Sequence, residues 1–205
     1  MIWWARSRRL WAVGFSIAVV ICLGFFPALQ LTMPSSTAVV PYVPVSVNEM
    51  SGLLVAVAWA WGLPGSKSPL GNTAIRPIRL LDICPLLVAA SAPVVLWFAM
   101  GFSPEWALVS RNVIGICGLT LIGSAFLGPK YAPSVPVLFF AACVFIGTDG
   151  NSSNVAAWAF LRASFEDQVA ASLAIAAFAI GAVVYLTRTL VRAPGLRRIV
   201  ETGWG

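Results

Sequence analysis

Long apolar stretches separated by short polar ones set the pattern of this chain, and six of them read as helices, at about 10–31, 45–63, 80–102, 107–127, 134–147 and 169–190. A helix rises about 1.5 Å per residue, so roughly 20 apolar residues cross a hydrocarbon core. The first stretch follows a basic head of Arg6, Arg8 and Arg9 and precedes a small-residue Ser36-Thr37-Ala38 pattern, as a signal peptide would. Its apolar run is longer than the roughly 7–15 residues of a signal peptide, so it is read as an anchor. Residues 32–44, with Pro34, Pro41 and Pro44, read as an extended outer loop, and Pro64-Gly65 ends the second helix. Pro85 and Pro93 fall inside the third helix and predict a bend. Ser103-Pro104-Glu105-Trp106 reads as a tight turn before the fourth helix, and the fifth is short for a crossing.

Two polar interruptions stand out. Residues 66–81, SKSPLGNTAIRPIRLL, divide the second helix from the third. Asn72 can cap a short helix there, and Ile75, Ile78 and Leu81 recur at three-residue spacing with Arg76 and Arg79 off that stripe. The stretch is either an ordered interfacial helix on which a cytoplasmic protein docks or a basic turn held by anionic headgroups. Residues 155–168 place Trp158, Phe160, Leu161 and Phe165 alongside Arg162, Glu166 and Asp167, the composition of an amphipathic helix lying in the outer interface or dipping into it.

Charge fixes a topology for these elements. With six crossings and both termini cytoplasmic, most lysines and arginines lie inside, while Arg111 and Arg162 fall outside together with Glu49, Glu105, Asp149, Glu166 and Asp167. Arg111 and Asn112, in the first turns of the fourth helix, run against that rule. They are functional candidates, or Arg111 snorkels to headgroups. The same helix carries Gly115, Gly118, Gly123 and Ser124, small residues that let two helix backbones approach closely.

Composition agrees with a membrane rather than an aqueous setting. Of 205 residues 60% are hydrophobic and 10% charged, with mean hydropathy +0.90, where soluble domains carry about a quarter charged residues. The net charge of +6 is accounted for by basic residues flanking apolar spans, so a nucleic-acid partner is not expected. Cys22, Cys84, Cys117 and Cys143 are isolated within apolar runs, and histidine is absent. No metal site, nucleophile–base pair or phosphate loop is present in the sequence, so neither catalysis nor nucleotide binding by this chain is expected. The expectation is a single all-α transmembrane domain over residues 1–205, multi-pass in the cell membrane, with Glu49, Arg111, Asn112, Trp158, Arg162, Glu166 and Asp167 as the polar groups available to a pathway or gate.

Three stretches carry a resemblance: TAIRPIRLLDI at 73–83, SRNVIGICGLTLIGSAFLG at 110–128, and AAWAFLRA followed by AAFAIGAVVYLTR in the last third. With the six-helix layout, they resemble the compact permease subunits of type-2 ABC exporters, in particular small actinobacterial members that work beside a separate ATPase. The resemblance implies that Thr73, Ile75, Arg76, Pro77 and Arg79 form a coupling helix seated on the ATPase. It implies an outer re-entrant segment after the fifth helix, a second permease subunit, identical or related, and ATP and Mg bound only by the partner ATPase. It implies export of a hydrophobic or amphipathic substrate. The alternative is a non-transporting membrane scaffold or accessory subunit, with the small-residue face of the fourth helix as its working surface.

Overall fold

The computed structural model describes residues 10–26, 29–34, 42–62, 83–147, 155–156 and 158–191. The described chain is mostly helical. In order it contains α1 (Leu10–Gly24), β1 (Gln30–Pro34), β2 (Tyr42–Ser46), α2 (Val47–Gly62), α3 (Cys84–Ala99), α4 (Pro104–Leu127), a 3-10 turn (Pro129–Tyr131), α5 (Ser134–Phe145) and α6 (Gln168–Val191). Among the described residues two helices are long and apolar enough to cross a membrane, α4 throughout and α6 over Gln168–Arg188.

Several boundaries differ from those expected, each for a local reason. The first helix stops at Gly24 rather than at 31. Phe25 and Phe26 close it with short bonds to Cys22 and Leu23, and Pro27 disfavours helical geometry at Phe26. Gln30 and Leu31 are therefore strand, and part of the expected loop is an antiparallel hairpin whose register runs from Gln30 opposite Ser46 to Pro34 opposite Tyr42. The second helix begins at Val47 and not 45, because Ser46 and Glu49 form a capping box: the Glu49 carboxylate accepts from the Ser46 amide at 3.3 Å and the Ser46 hydroxyl from the Asn48 amide at 3.3 Å.

The α3–α4 corner lies earlier than the expected Ser103–Trp106 turn. Gly101 (φ 67°) follows α3 in the left-handed region, its amide bonds to Phe98 O and that of Phe102 to Trp97 O. This is a Schellman closure, and its hydrophobic contact is the edge-on pairing of Trp97 and Phe102 at 5.3 Å. Pro104 then opens α4 at a position where a proline loses no hydrogen bond. Pro85 likewise lies in the first turn of α3, so only Pro93 is interior to that helix.

Contacts along the helices show that they alternate in direction. Trp11 near the start of α1 meets Trp61 at the end of α2, ring centroids 5.6 Å apart, while Phe25 just past α1 meets Trp106 at the start of α4. Gly52 of α2 faces Ile116 of α4, with both helices running the same way. Along α6, Ala174, Phe178 and Arg188 meet Gly115, Gly118 and Ala125 in the same order. The first and last described helices thus begin and end at the same end of the bundle.

α4 is the axis. One face packs Val109, Val113, Cys117 and Leu121 with side chains of α1, α2 and α3; another packs Ile116 with α5, α6 and the stretch between them. Outward-facing positions are apolar: Phe15 on α1, Val95 on α3, Leu138 on α5 and Ile175, Ile180 and Val183 on α6 are all exposed. Polar side chains are buried on α4 instead, namely Ser110, Arg111, Asn112, Thr120 and Ser124.

Candidate functional site

The buried polar residues of α4 converge with the chain between α5 and α6. From Val155 to Asp167 the described residues make turns, not the amphipathic helix expected there. The stretch leaves α5 by a bond from the Ala156 amide to Gly147 O, and buries Ala159, Phe160, Leu161 and Ala163 in the core. A helix would satisfy its carbonyls internally. Here α4 supplies the donors, and that is why an irregular backbone survives among apolar side chains.

Arg111, 6% exposed, donates from Nη1 to Ser164 O at 2.6 Å and from Nη2 to Ala163 O at 2.7 Å. Its Nε donates to Asn112 Oδ1 at 3.3 Å, and Asn112 Nδ2 donates to Leu161 O at 3.1 Å. Two adjacent α4 side chains thereby hold three carbonyls of a four-residue stretch. Short bonds from a charged donor are the stronger kind. Asp167 and Glu49 supply the countercharge around Arg111. Arg111 thus directs Nη1 and Nη2 at two backbone carbonyls and Nε at Asn112.

The other side of the stretch is held differently. Arg162 Nε lies 3.6 Å from Glu49 Oε2, an ion pair longer than a hydrogen bond, and its Nη2 donates to Pro44 O at 3.3 Å. Glu49 Oε2, Arg162 Nη1 and the Oδ1 of Asn48, next to Glu49 in sequence, are buried, with no hydrogen-bond partner among the described residues. Asn48 is 4% exposed and escaped sequence reasoning, although the Ser46-x-x-Glu49 capping signature that positions it was there to be read.

The remaining candidates divide. Asp167 caps α6, its Oδ1 accepting from the amides of Val169 at 2.9 Å and Ala170 at 3.1 Å. Trp158 is exposed and edge-on to Phe139, and Glu166 is exposed. Gly115 takes the Phe160 ring against its backbone, Gly118 lies against Ala177 and Phe178, Gly123 lies against the Ala132 turn, and Ser124 is buried. The small-residue face of α4 is filled by this chain's own elements. Thr73, Ile75, Arg76, Pro77 and Arg79 lie outside the described residues, as do Asn72 and Asp82. Among the described residues no cluster of histidine, cysteine and carboxylates suited to a metal occurs.

No family model matches the chain, and neither a curated protein nor a solved structure does.

Proposed function

We propose that the chain is a six-span protein of the cell membrane with both ends cytoplasmic, and that it works as the permease subunit of an exporter driven by a separate ATPase. The observation that carries the reading is the non-helical stretch turned back into the bundle after a short α5 and satisfied there by Arg111 and Asn112. An irregular backbone at membrane depth needs protein donors of this kind. The alternation of helix directions and the apolar exterior of α1, α3, α5 and α6 support the membrane part of the reading, since a soluble monomer rarely exposes apolar surface on every side. The exporter part rests on the resemblance to type-2 permeases, in which a re-entrant segment follows the fifth helix and a coupling helix joins the second to the third.

In this reading Arg76 and Arg79 contact the ATPase, two permease subunits face each other, and a hydrophobic or amphipathic substrate passes between them. The test is co-expression with neighbouring genes, purification in mild detergent and identification of bound subunits by mass. A stoichiometric ATPase that is lost on Arg76→Glu is the expected result. A stable complex without a nucleotide-binding subunit overturns the exporter reading and leaves the membrane scaffold.

A further inference from the structure

The stretch between α5 and α6 has one face made fast and one face loosely fastened. On the α4 face Arg111 and Asn112 hold three carbonyls, with both Arg111 bonds under 2.8 Å. On the hairpin face the described polar contacts are the 3.6 Å Arg162–Glu49 pair and the 3.3 Å bond from Arg162 to Pro44 O. Two buried atoms of that pair, Glu49 Oε2 and Arg162 Nη1, make no hydrogen bond among the described residues. A buried ion pair with unsatisfied atoms is a poorly compensated state: parting the charges loses their attraction but lets water reach every one of those atoms. What opposes parting is apolar, chiefly Val45 of β2, fully buried in the same cluster as Ala159, Phe160 and Leu161.

We infer that the Glu49–Arg162 pair is a latch across a seam that opens, with β2 and the first turn of α2 on one side and the α4-bound stretch on the other. Opening hydrates Glu49 and Arg162 and uncovers Val45, while the Arg111 contacts stay in place. Calling this seam the outer gate rests on the permease reading. The latch itself is a property of the chain, and it is measured without any ATPase, so failure of one leaves the other standing.

The experiment is thiol labelling of the full chain in lipid nanodiscs with a water-soluble maleimide, in a background where Cys22, Cys84, Cys117 and Cys143 are alanine. Val45→Cys reports the seam, and Leu121→Cys, fully buried in the other half of α4, reports general loosening. Glu49→Gln removes the charge but keeps a residue competent for the capping box, so α2 still starts correctly. The expected result is that Glu49→Gln and Arg162→Gln each speed labelling at position 45 by about tenfold, as loss of a largely buried pair should, while Arg162→Lys stays near the parent. Position 121 remains unreactive throughout. Unchanged labelling at position 45 in both charge-removing variants overturns the latch, and so does a parallel rise at position 121.

Discussion

Arg111 and Arg162 act on the same stretch of chain from opposite sides, and their settings differ in kind. Arg111 projects from the first third of a long helix, is anchored on its Nε by its neighbour Asn112, and meets two carbonyls at 2.6 and 2.7 Å. Arg162 belongs to the irregular stretch itself and reaches across to a helix start and a strand, at 3.6 and 3.3 Å. A guanidinium held by a rigid helix and aimed at fixed acceptors is preorganised and loses little freedom on bonding. One held by a turn bonds only as well as two separate elements happen to approach. The difference shows that two arginines on one stretch of chain can fasten it with unequal strength, according to how rigidly each is held.

The sharpest way to break the contrast is to remove the Arg111 donors. Arg111→Leu strips the donor from the buried Ala163 carbonyl and the part-buried Ser164 carbonyl and is expected to destabilise the chain by about 3–5 kcal/mol, read as the shift in a reversible detergent-unfolding titration. Arg111→Lys should fall between, because one ammonium cannot span both acceptors as a planar fork does. If Arg111→Leu unfolds no more easily than Arg162→Gln, the two settings are equivalent and the contrast is gone.

A second variant acts on the platform behind Arg111. A side chain at Gly118 would meet the backbone of Ala177 and Phe178, so Gly118→Val has to push α4 and α6 apart, at a cost of about 1–3 kcal/mol in the same titration. Asn112→Leu, close in volume, removes the donor to Leu161 O and the acceptor for Arg111; about 1–2 kcal/mol is expected. The smallest effect belongs to the other side. Arg162→Gln is expected to cost about 1 kcal/mol, since its pair is long and only partly compensated.

Much of the helical layout is legible in the chain's apolar runs, because burial of a contiguous apolar stretch needs no knowledge of its neighbours. Where boundaries were misplaced, the local signals were present but outweighed by hydropathy: Pro27 after Phe26, Gly101 as a left-handed closing residue, and Ser46 with Glu49 as a capping box. Each acts through backbone chemistry over four or five residues, a scale at which mean hydropathy is blind. The amphipathic appearance of Trp158 to Asp167 misled for a different reason. Its composition suits a helix, yet its carbonyls are claimed by side chains some 50 positions earlier in the chain, as the 53-residue separation of Arg111 and Ser164 shows.

Residue order alone therefore settles the apolar character, the approximate number and order of the helices, and which residues are charged where charge is costly. It singled out Arg111, Asn112, Arg162 and Glu49 because an ionisable or amide group amid apolar neighbours is conspicuous without a structure. It takes the packing of distant elements to turn the Arg111 and Asn112 donors onto Leu161, Ala163 and Ser164, and to set Glu49 closer to Arg162 than to Arg111. Hydrophobic burial is a property each residue carries along the chain, whereas a hydrogen bond exists only when two distant elements are brought to within about 3 Å in the right direction, and no local pattern specifies that meeting.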